Sequence, residues 1–366
     1  MTINYTEYWT WKNKLIINTN INFSVFSMSF KNYLLSNYTF FCLHELQVKN
    51  FFTHDLLNRI SFKTLDLTYY KSLDLRNYYD ELIKLCLNEQ IKKIYITNTW
   101  QYWHPIFLRK CKKEWIKIAL STADDDSSKI NYCSKPYTRY YDIHFHVWVM
   151  YDKKGTTIAD KLKEWWWNPV WIPLGARADH INTNIDFDNR DIEVCYIWNI
   201  NPRKLFRLSK LKRHFWARLK LYGWQGNGDW KSLKGIFYKI VNKLFGLWYI
   251  EPISEDKLKE IYGRTKIGFN MHLVSWKWPS NSRMYELPIN GVMQLCDNKL
   301  WLNRVFEVWK EVVAYENIHN AIQKIEYYLQ NDEERIKVAK AGYERAIKYY
   351  TYDLVWKRIL SVMSQD

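Results

Sequence analysis

IGFNMHLVSWKWPSNSRMYELPINGVMQLCDNKLWL, running from Ile267 to Leu302, is the stretch on which the fold is decided. A short apolar run, Lys266 to Asn270, reads as a strand and leads into a polar turn holding Ser275, Pro279 and Ser280. A short helix then carries Arg283 and Glu286, three residues apart and so on one face. Pro288 and Gly291 break that helix, and a second apolar strand starts at Val292. Strand, loop, helix, break, strand is how an α/β sheet builds a ligand crevice at strand carboxyl ends. Asn281 and Ser282 stand where a helix cap is needed, and the free N–H groups they flank attract phosphate.

Working outward, the same alternation continues in both directions. Downstream lie strand Glu311–Ala314, helices Ile318–Leu329 and Asp332–Ala346, and a last helix from Thr351. Upstream lie strand Ile192–Ile197, helix Arg203–Leu211, strand Arg218–Tyr222 and helices Lys231–Leu244 and Glu255–Tyr262. Further back the strands are Lys14–Asn18, Tyr38–Leu43, Lys93–Thr97, Ile116–Ser121, Ile143–Val149 and Val170–Pro173. Helices at Ser27–Ser36, Asn77–Cys86, Pro105–Lys113 and Thr156–Glu164 fall among them. Strands alternating with helices predict parallel sheets with right-handed crossovers. Periodicity is lost from Pro173 to Asn189, which places a linker there. The expected division is residues 1–178, 190–348 and a terminal helix over 349–366.

The chain has 366 residues, long for one core, so two domains are expected. Apolar residues make up 48% and charged residues 25%, as in a folded soluble protein. No run of about 18 apolar residues occurs, and the opening MTINYTEYWTWKNK does not read as a secretory leader. Six cysteines lie scattered without a CxxC pair, which predicts reduced thiols, a cytoplasmic location and no zinc site. The net charge of +16 has two readings: an anionic partner, or a genome whose base composition favours Lys codons. The basic residues are spread out, and the densest cluster, Lys204 to Lys220, is diluted by Leu and Phe. Nucleic acid is therefore not the expected partner; peripheral contact with an anionic membrane stays open.

Glycine and tryptophan are out of balance. A typical share of about 7% predicts about 26 glycines; the chain has 11, with 20 tryptophans. Several Trp stand where turn chemistry asks for Gly: Trp165 to Trp167 before Asn-Pro, Trp198 after a strand, Trp276 and Trp278 before Pro279, and Trp309 before Lys310. Either the protein is Trp-rich, or UGA codons that the source organism reads as Gly have been translated as Trp.

Arg283 and Glu286 are the best-placed functional pair. Arg grips a diphosphate with a fork of donors, and Glu accepts from both ribose hydroxyls. The bland reading is an ordinary i,i+3 ion pair. Arg203, following Asn201-Pro202 at a helix start, is either a phosphate ligand or a solvated first-turn residue. His272, just past a strand, is an electrophile, a base or a structural histidine. Asp124, in the run Asp124 to Asp126, is a base or a Mg²⁺ ligand, or part of a solvated turn. His144 and His146 share one face of a strand but have no third metal ligand at useful spacing. There is no GxGxxG after the first strand and no GxxxxGK[ST], which argues against dinucleotide dehydrogenases and P-loop NTPases.

"KIGFN", "NSRMYELPINGVMQLCD" and the tail "AIQKIEYYLQNDEERIKVAKAGYERAIKYYTYDLVWKRIL" resemble the C-terminal half of CgeB-type, spore maturation protein-like glycosyltransferases of the group 1 kind. "IALSTADDDSS" and "VWIPLGA" are similar to that family's N-terminal half. The resemblance implies an α/β GT-B fold, two facing Rossmann-like domains with the last helix crossing back to the first. It implies a metal-independent transferase with no cofactor: a nucleotide-sugar donor in the C-terminal domain, and a glycan or glycoprotein acceptor mostly in the other. Carried over by position, Arg283 faces the donor diphosphate and Glu286 the ribose or sugar. Asn270, His272, Ser282 and Gly291 line the same pocket, and Arg203 approaches the phosphates. His272 and Asp124 are the candidates for the base. A catalytically silent relative and a basic nucleic-acid-binding protein are the rival readings. Trp198, Trp276, Trp278 and Trp309 depart from the family's small residues.

Overall fold

The structure, a computed structural model, describes residues 40–42, 93–98, 105–122, 139–147, 156–164, 168–197, 202–223, 253–272 and 281–364, with isolated positions in 80–88 and 240–247. The expected elements Lys14–Asn18 and Ser27–Ser36, most of Asn77–Cys86 and Lys231–Leu244, and Asp124, Trp198, Trp276 and Trp278 lie outside these residues. The chain divides into two compact units, one of residues 1–172 with 352–366, the other of residues 173–351.

In the first unit five strands run parallel in chain order: β1 (Phe40–Cys42), β2 (Lys93–Asn98), β3 (Lys117–Thr122), β4 (Ile143–His146) and β5 (Pro169–Trp171). Three successive residues of β3, Ile118, Ala119 and Leu120, are buried. Burial on both faces of a strand marks a sheet covered by helices on each side. Helix α1 (Pro105–Lys113) buries Phe107, Leu108 and Cys111, one stripe at helical spacing. Helix α2 (Ile158–Glu164) starts at a capping box: Asp160 N–H donates to Thr157 Oγ1 and Thr157 N–H to Asp160 Oδ2, both at 3.1 Å.

The second unit holds β6 (Ile192–Ile197), β7 (Leu219–Tyr222), β8 (Thr265–Asn270), β9 (Met293–Asp297) and β10 (Val313–Tyr315). They are parallel, in the spatial order β10-β9-β8-β6-β7. The chain steps from β6 to β7 on one side, then crosses to β8 on the other. The switch point therefore lies between the carboxyl ends of β6 and β8, where doubly wound sheets bind ligands. Helix α3 (Pro202–Phe215) lays Leu205, Leu208 and Leu211 on the core formed by Val194, Ile267, Leu295 and Val313. Helix α4 (Glu255–Gly263) precedes β8, and helix α5 (Arg283–Glu286) precedes β9. Helices α6 (Ile318–Gln330) and α7 (Asp332–Tyr349) close the unit. On α6 the Asn317 side chain caps by accepting from His319 N–H and Asn320 N–H, both at 3.0 Å.

Segment 173–189 packs within the second unit. Ala176 N–H donates to the Tyr350 carbonyl at 2.8 Å, and Asn182 N–H to that of Ile289 at 3.1 Å. The last helix, α8 (Tyr352–Ser364), belongs to the first unit. It places Tyr352, Val355, Trp356, Ile359 and Met363 against Ala119, Phe145 and Ile172. The expected return of the terminal helix to the first domain is what the structure has. No helix among the described residues is long and apolar enough to cross a membrane.

Gly291 is left-handed, φ 65°, and closes the turn Pro288–Asn290 ahead of β9. Among the described residues, positive φ outside glycine occurs at Trp115 (57°), Trp216 (45°) and Trp309 (76°).

Candidate functional site

The carboxyl ends of β6, β8 and β9 gather the polar residues of the second unit. Asn270 ends β8, and its side-chain amide is taken up by two neighbours. Nδ2 donates to Gln294 Oε1 at 2.9 Å and to Asn281 Oδ1 at 3.1 Å, while Asn281 Nδ2 donates back to Asn270 Oδ1 at 2.8 Å. Asn281 Oδ1 also accepts from Met284 N–H at 3.1 Å. Asn281 is thus the cap of α5 and ties it to β8. Ser282, offered with it as a cap, makes no side-chain capping bond: it already has helical φ and ψ. The four residues of α5 are also too short to carry the phosphate-attracting terminus expected there.

Arg283 is buried beneath this turn, with Nε 3.4 Å from Glu286 Oε2. Tyr262 OH donates to the same carboxylate oxygen at 3.2 Å. Burial, then the Glu286 charge, push the Tyr262 phenol well above its ordinary range, so it stays a donor. Arg283 and Glu286 are therefore together, as the spacing requires, and largely sheltered from water.

Lys204 was not singled out from the sequence. It sits on the buried stripe of α3, one turn before Leu208, and its Nζ donates to Tyr196 OH at 3.0 Å. Burial and the nearby Arg283 charge push its ammonium down to about 8, with Asp297 pulling the other way. That places two cations close together at the end of β6. The signal was present: a Lys in phase with Leu205, Leu208 and Leu211. Arg203 lies in the first turn of α3.

His272 stands two residues beyond β8 and is buried. Its Nδ1 is 2.7 Å from Asp297 Oδ1, and its backbone N–H donates to the same oxygen at 2.9 Å. Lys299 Nζ lies 2.9 Å from Asp297 Oδ2. Burial pushes the Asp297 carboxyl up, but its contacts with His272 and the Lys299 ammonium outweigh it and hold it well below the usual range. Asp297, the last residue of β9, is not among the candidates that the sequence offers. Its pairing to His272 runs between two adjacent strands, which spacing along the chain does not reveal.

The other candidates lie apart. His144 and His146 are buried in the first unit, ring centroids 6.3 Å apart. Burial, then His146, drive His144 well below its ordinary value, which leaves it neutral. Among the described residues no group of three or more His, Cys, Asp or Glu is placed to hold a metal. Cys111, Cys195 and Cys296 are buried free thiols, and burial pushes Cys195 up to about 12.

Residues 203–361 match a family model described as glycosyl transferase-like. The fold matches GT-B glycosyltransferase structures. Anabaena Alr3699/HepE, in complex with UDP and glucose, superposes with TM-score 0.56 at 8% identity, over 79% of this chain and 82% of that one. A glycosyltransferase from Rickettsia africae ESF-5 gives 0.55 at 11% identity, over 90% of each chain. Sucrose-phosphate synthase from Thermosynechococcus elongatus gives 0.54 at 11%, over 80% and 77%. No curated protein matches the chain in sequence. The α/β fold of two parallel sheets is thus that of the GT-B class, and the chain carries a glycosyltransferase-like domain in its second half.

Proposed function

We propose that this protein is a cytoplasmic glycosyltransferase of the CgeB-like branch. It moves a sugar from a nucleotide-diphosphate donor, of the UDP class, to a glycan or protein-linked acceptor. The observation that carries the reading is the pair of buried cations, Lys204 and Arg283, at the β6/β8 switch point of the matching domain. Arg283, already beside Glu286, lies near enough to depress the Lys204 ammonium, and a doubly anionic group bound between the two cations would relieve that repulsion. A diphosphate does so, and it gains charge as the bond to the anomeric carbon breaks. In this reading Arg283 and Lys204 hold the diphosphate, as a divalent cation does in other transferases, and Arg203 approaches from the first turn of α3. Glu286, steadied by Tyr262, accepts from the ribose or sugar hydroxyls. Asn270 and Ser282 shape the pocket wall; Gly291, expected there with them, stands instead ahead of the amino end of β9, against Ile185 and Arg190, at the opposite edge of the parallel sheet. His272 and Asp124 remain the candidates for the base that takes the acceptor proton.

The test is nucleotide binding and donor turnover. Calorimetry against UDP, GDP, CDP and TDP is expected to show binding of one nucleotide, weakened at least 10-fold by Arg283→Ala. Sugar-donor hydrolysis should fall in Glu286→Ala. No binding to any of the four, or equal background hydrolysis in both proteins, overturns the reading in favour of a catalytically silent relative.

A further inference from the structure

We infer that Asp297 is a positioning residue: it holds His272 with the proton on Nδ1, leaving the Nε2 lone pair to accept from a substrate hydroxyl. This rests on the donor-site reading above. The carboxylate is ionised and can only accept. Two N–H groups of one residue, the His272 backbone and its Nδ1, therefore converge on one oxygen, at 2.9 and 2.7 Å. That fixes both the ring plane and the tautomer. In the neutral ring Nε2 is then an acceptor, and it is buried with no hydrogen-bond partner among the described residues. Trp301, itself buried, stands edge-on to the ring at 5.1 Å and blocks rotation. A buried acceptor left without a donor is destabilising, and such groups are usually completed by a ligand or water. His272 lies just beyond the carboxyl end of β8, at the switch point where the donor is proposed to sit. A hydroxyl of the sugar donor or acceptor is the chemistry that fits.

Nitrogen-resolved NMR of histidine-labelled protein tests the tautomer without any substrate. The expected spectrum has the His272 proton on Nδ1; a proton on Nε2 in the free protein overturns the inference whether or not the donor reading holds. In turnover, Asp297→Asn should lower kcat by about 100-fold or more, with KM little changed, because an amide can donate to Nδ1 and reverse the tautomer. In a His272→Ala background the same substitution should cost nothing further. A merely structural Asp297 would keep its effect there, and that result also overturns the assignment.

A second inference rests on the backbone alone. We propose that the natural polypeptide carries glycine at positions 115, 216 and 309. Left-handed φ is a glycine conformation, and outside glycine it favours Asn and Asp, not a bulky aromatic. Yet each described left-handed residue other than glycine is a tryptophan. All three are exposed, at 88%, 74% and 55%. Trp115 occupies the glycine position of a Schellman motif after α1: Ile116 N–H donates to the Cys111 carbonyl at 2.9 Å and Trp115 N–H to that of Lys112 at 3.2 Å. Trp216 follows α3 directly, and Trp309 sits in the tight turn between Val308 and Val312. Three other tryptophans use their indoles. Trp171 Nε1 donates to the Val147 carbonyl at 3.0 Å, Trp301 packs on His272, and Trp356 fills the first unit's core. Lys324 Nζ stands 3.7 Å over the Trp309 ring, so it is backbone conformation and exposure that separate the two populations, as expected if UGA codons are read as glycine and UGG codons as tryptophan.

Peptide mass spectrometry of the protein from its native cells should find glycine at 115, 216 and 309 and tryptophan at 171, 301 and 356. Tryptophan at all of the first three overturns the proposal. In the recombinant chain, combining Trp115→Gly, Trp216→Gly and Trp309→Gly should raise Tm, whereas Trp356→Gly should lower it. A fall in Tm for the triple variant counts equally against it.

Discussion

Replacing Gly291 by alanine tests whether the turn that delivers α5 into β9 is held by backbone conformation. At φ 65° an L-residue costs about 1–2 kcal/mol from its Cβ against its own backbone. The added Cβ would also meet Ile185 Cγ2 at 2.7 Å, Ile185 Cδ1 at 2.9 Å and Arg190 Nη2 at 3.0 Å. Ile185 can shift. Arg190 is less free: Nη2 donates to the Asn290 carbonyl at 3.0 Å and Nη1 to that of Tyr262 at 3.2 Å. Overpacking of this kind costs about 1–3 kcal/mol. Alanine also narrows the unfolded ensemble, which returns about 0.4–1 kcal/mol. The net expectation is a loss of about 1–5 kcal/mol in urea unfolding of the full chain. Gly291→Asn separates the contributions, because asparagine tolerates left-handed φ but brings the same Cβ. It should lose less than alanine and more than nothing. A change under about 0.5 kcal/mol for alanine would refute the argument.

Lys204 gives a pH prediction. Its folded value of about 8 lies below the ordinary 10.5, so the unfolded chain binds more protons between those values. Stability should therefore rise with pH through that window, with the full penalty present below about 8. A bound diphosphate favours the ammonium, so UDP binding near pH 8 should take up a fraction of a proton, seen as a buffer-dependent heat that Lys204→Arg abolishes. Gly342→Ala should invert the usual sign for a helix interior: alanine normally gains about 0.5–1 kcal/mol there, but this Cβ would lie 2.5 Å from the Glu311 carbonyl oxygen, so Tm should fall.

The parts of this fold that were legible in the sequence are those set by local periodicity. Ile192–Ile197 and Pro105–Lys113 coincide with a strand and a helix, because a buried parallel strand and an amphipathic helix announce themselves in their own residues. Strand order was not legible, since β6 pairs with β8 across about 70 intervening residues. In the site, Arg283 and Glu286 were found because they are neighbours on one turn. Lys204 is not apparent in the sequence as a site residue, because only the phase of α3 shows that it is turned inward. Asp297 could not be tied to His272, since their contact is a product of sheet register: Asn270 aligns with Cys296, and each partner lies just beyond. The choice between Asn281 and Ser282 as cap depended on where helical φ and ψ begin, a matter of one residue.

The chain enters the second unit at Pro173 and leaves it at Thr351, and Ala176 pairs with Thr351 in a parallel bridge. The second unit is thus one uninterrupted piece of sequence with its ends side by side, whereas the first has its sheet before that piece and α8 after it. On the ribosome the two cannot mature in the order they are made. The later-synthesised unit can finish as soon as residue 351 emerges. The earlier one must keep Phe145 and Ile172 waiting for Val355, Trp356 and Ile359, which arrive last. Until then the apolar face around Ala119, Phe145 and Ile172 lacks its cover, and a truncation before residue 352 would leave it without that cover for good.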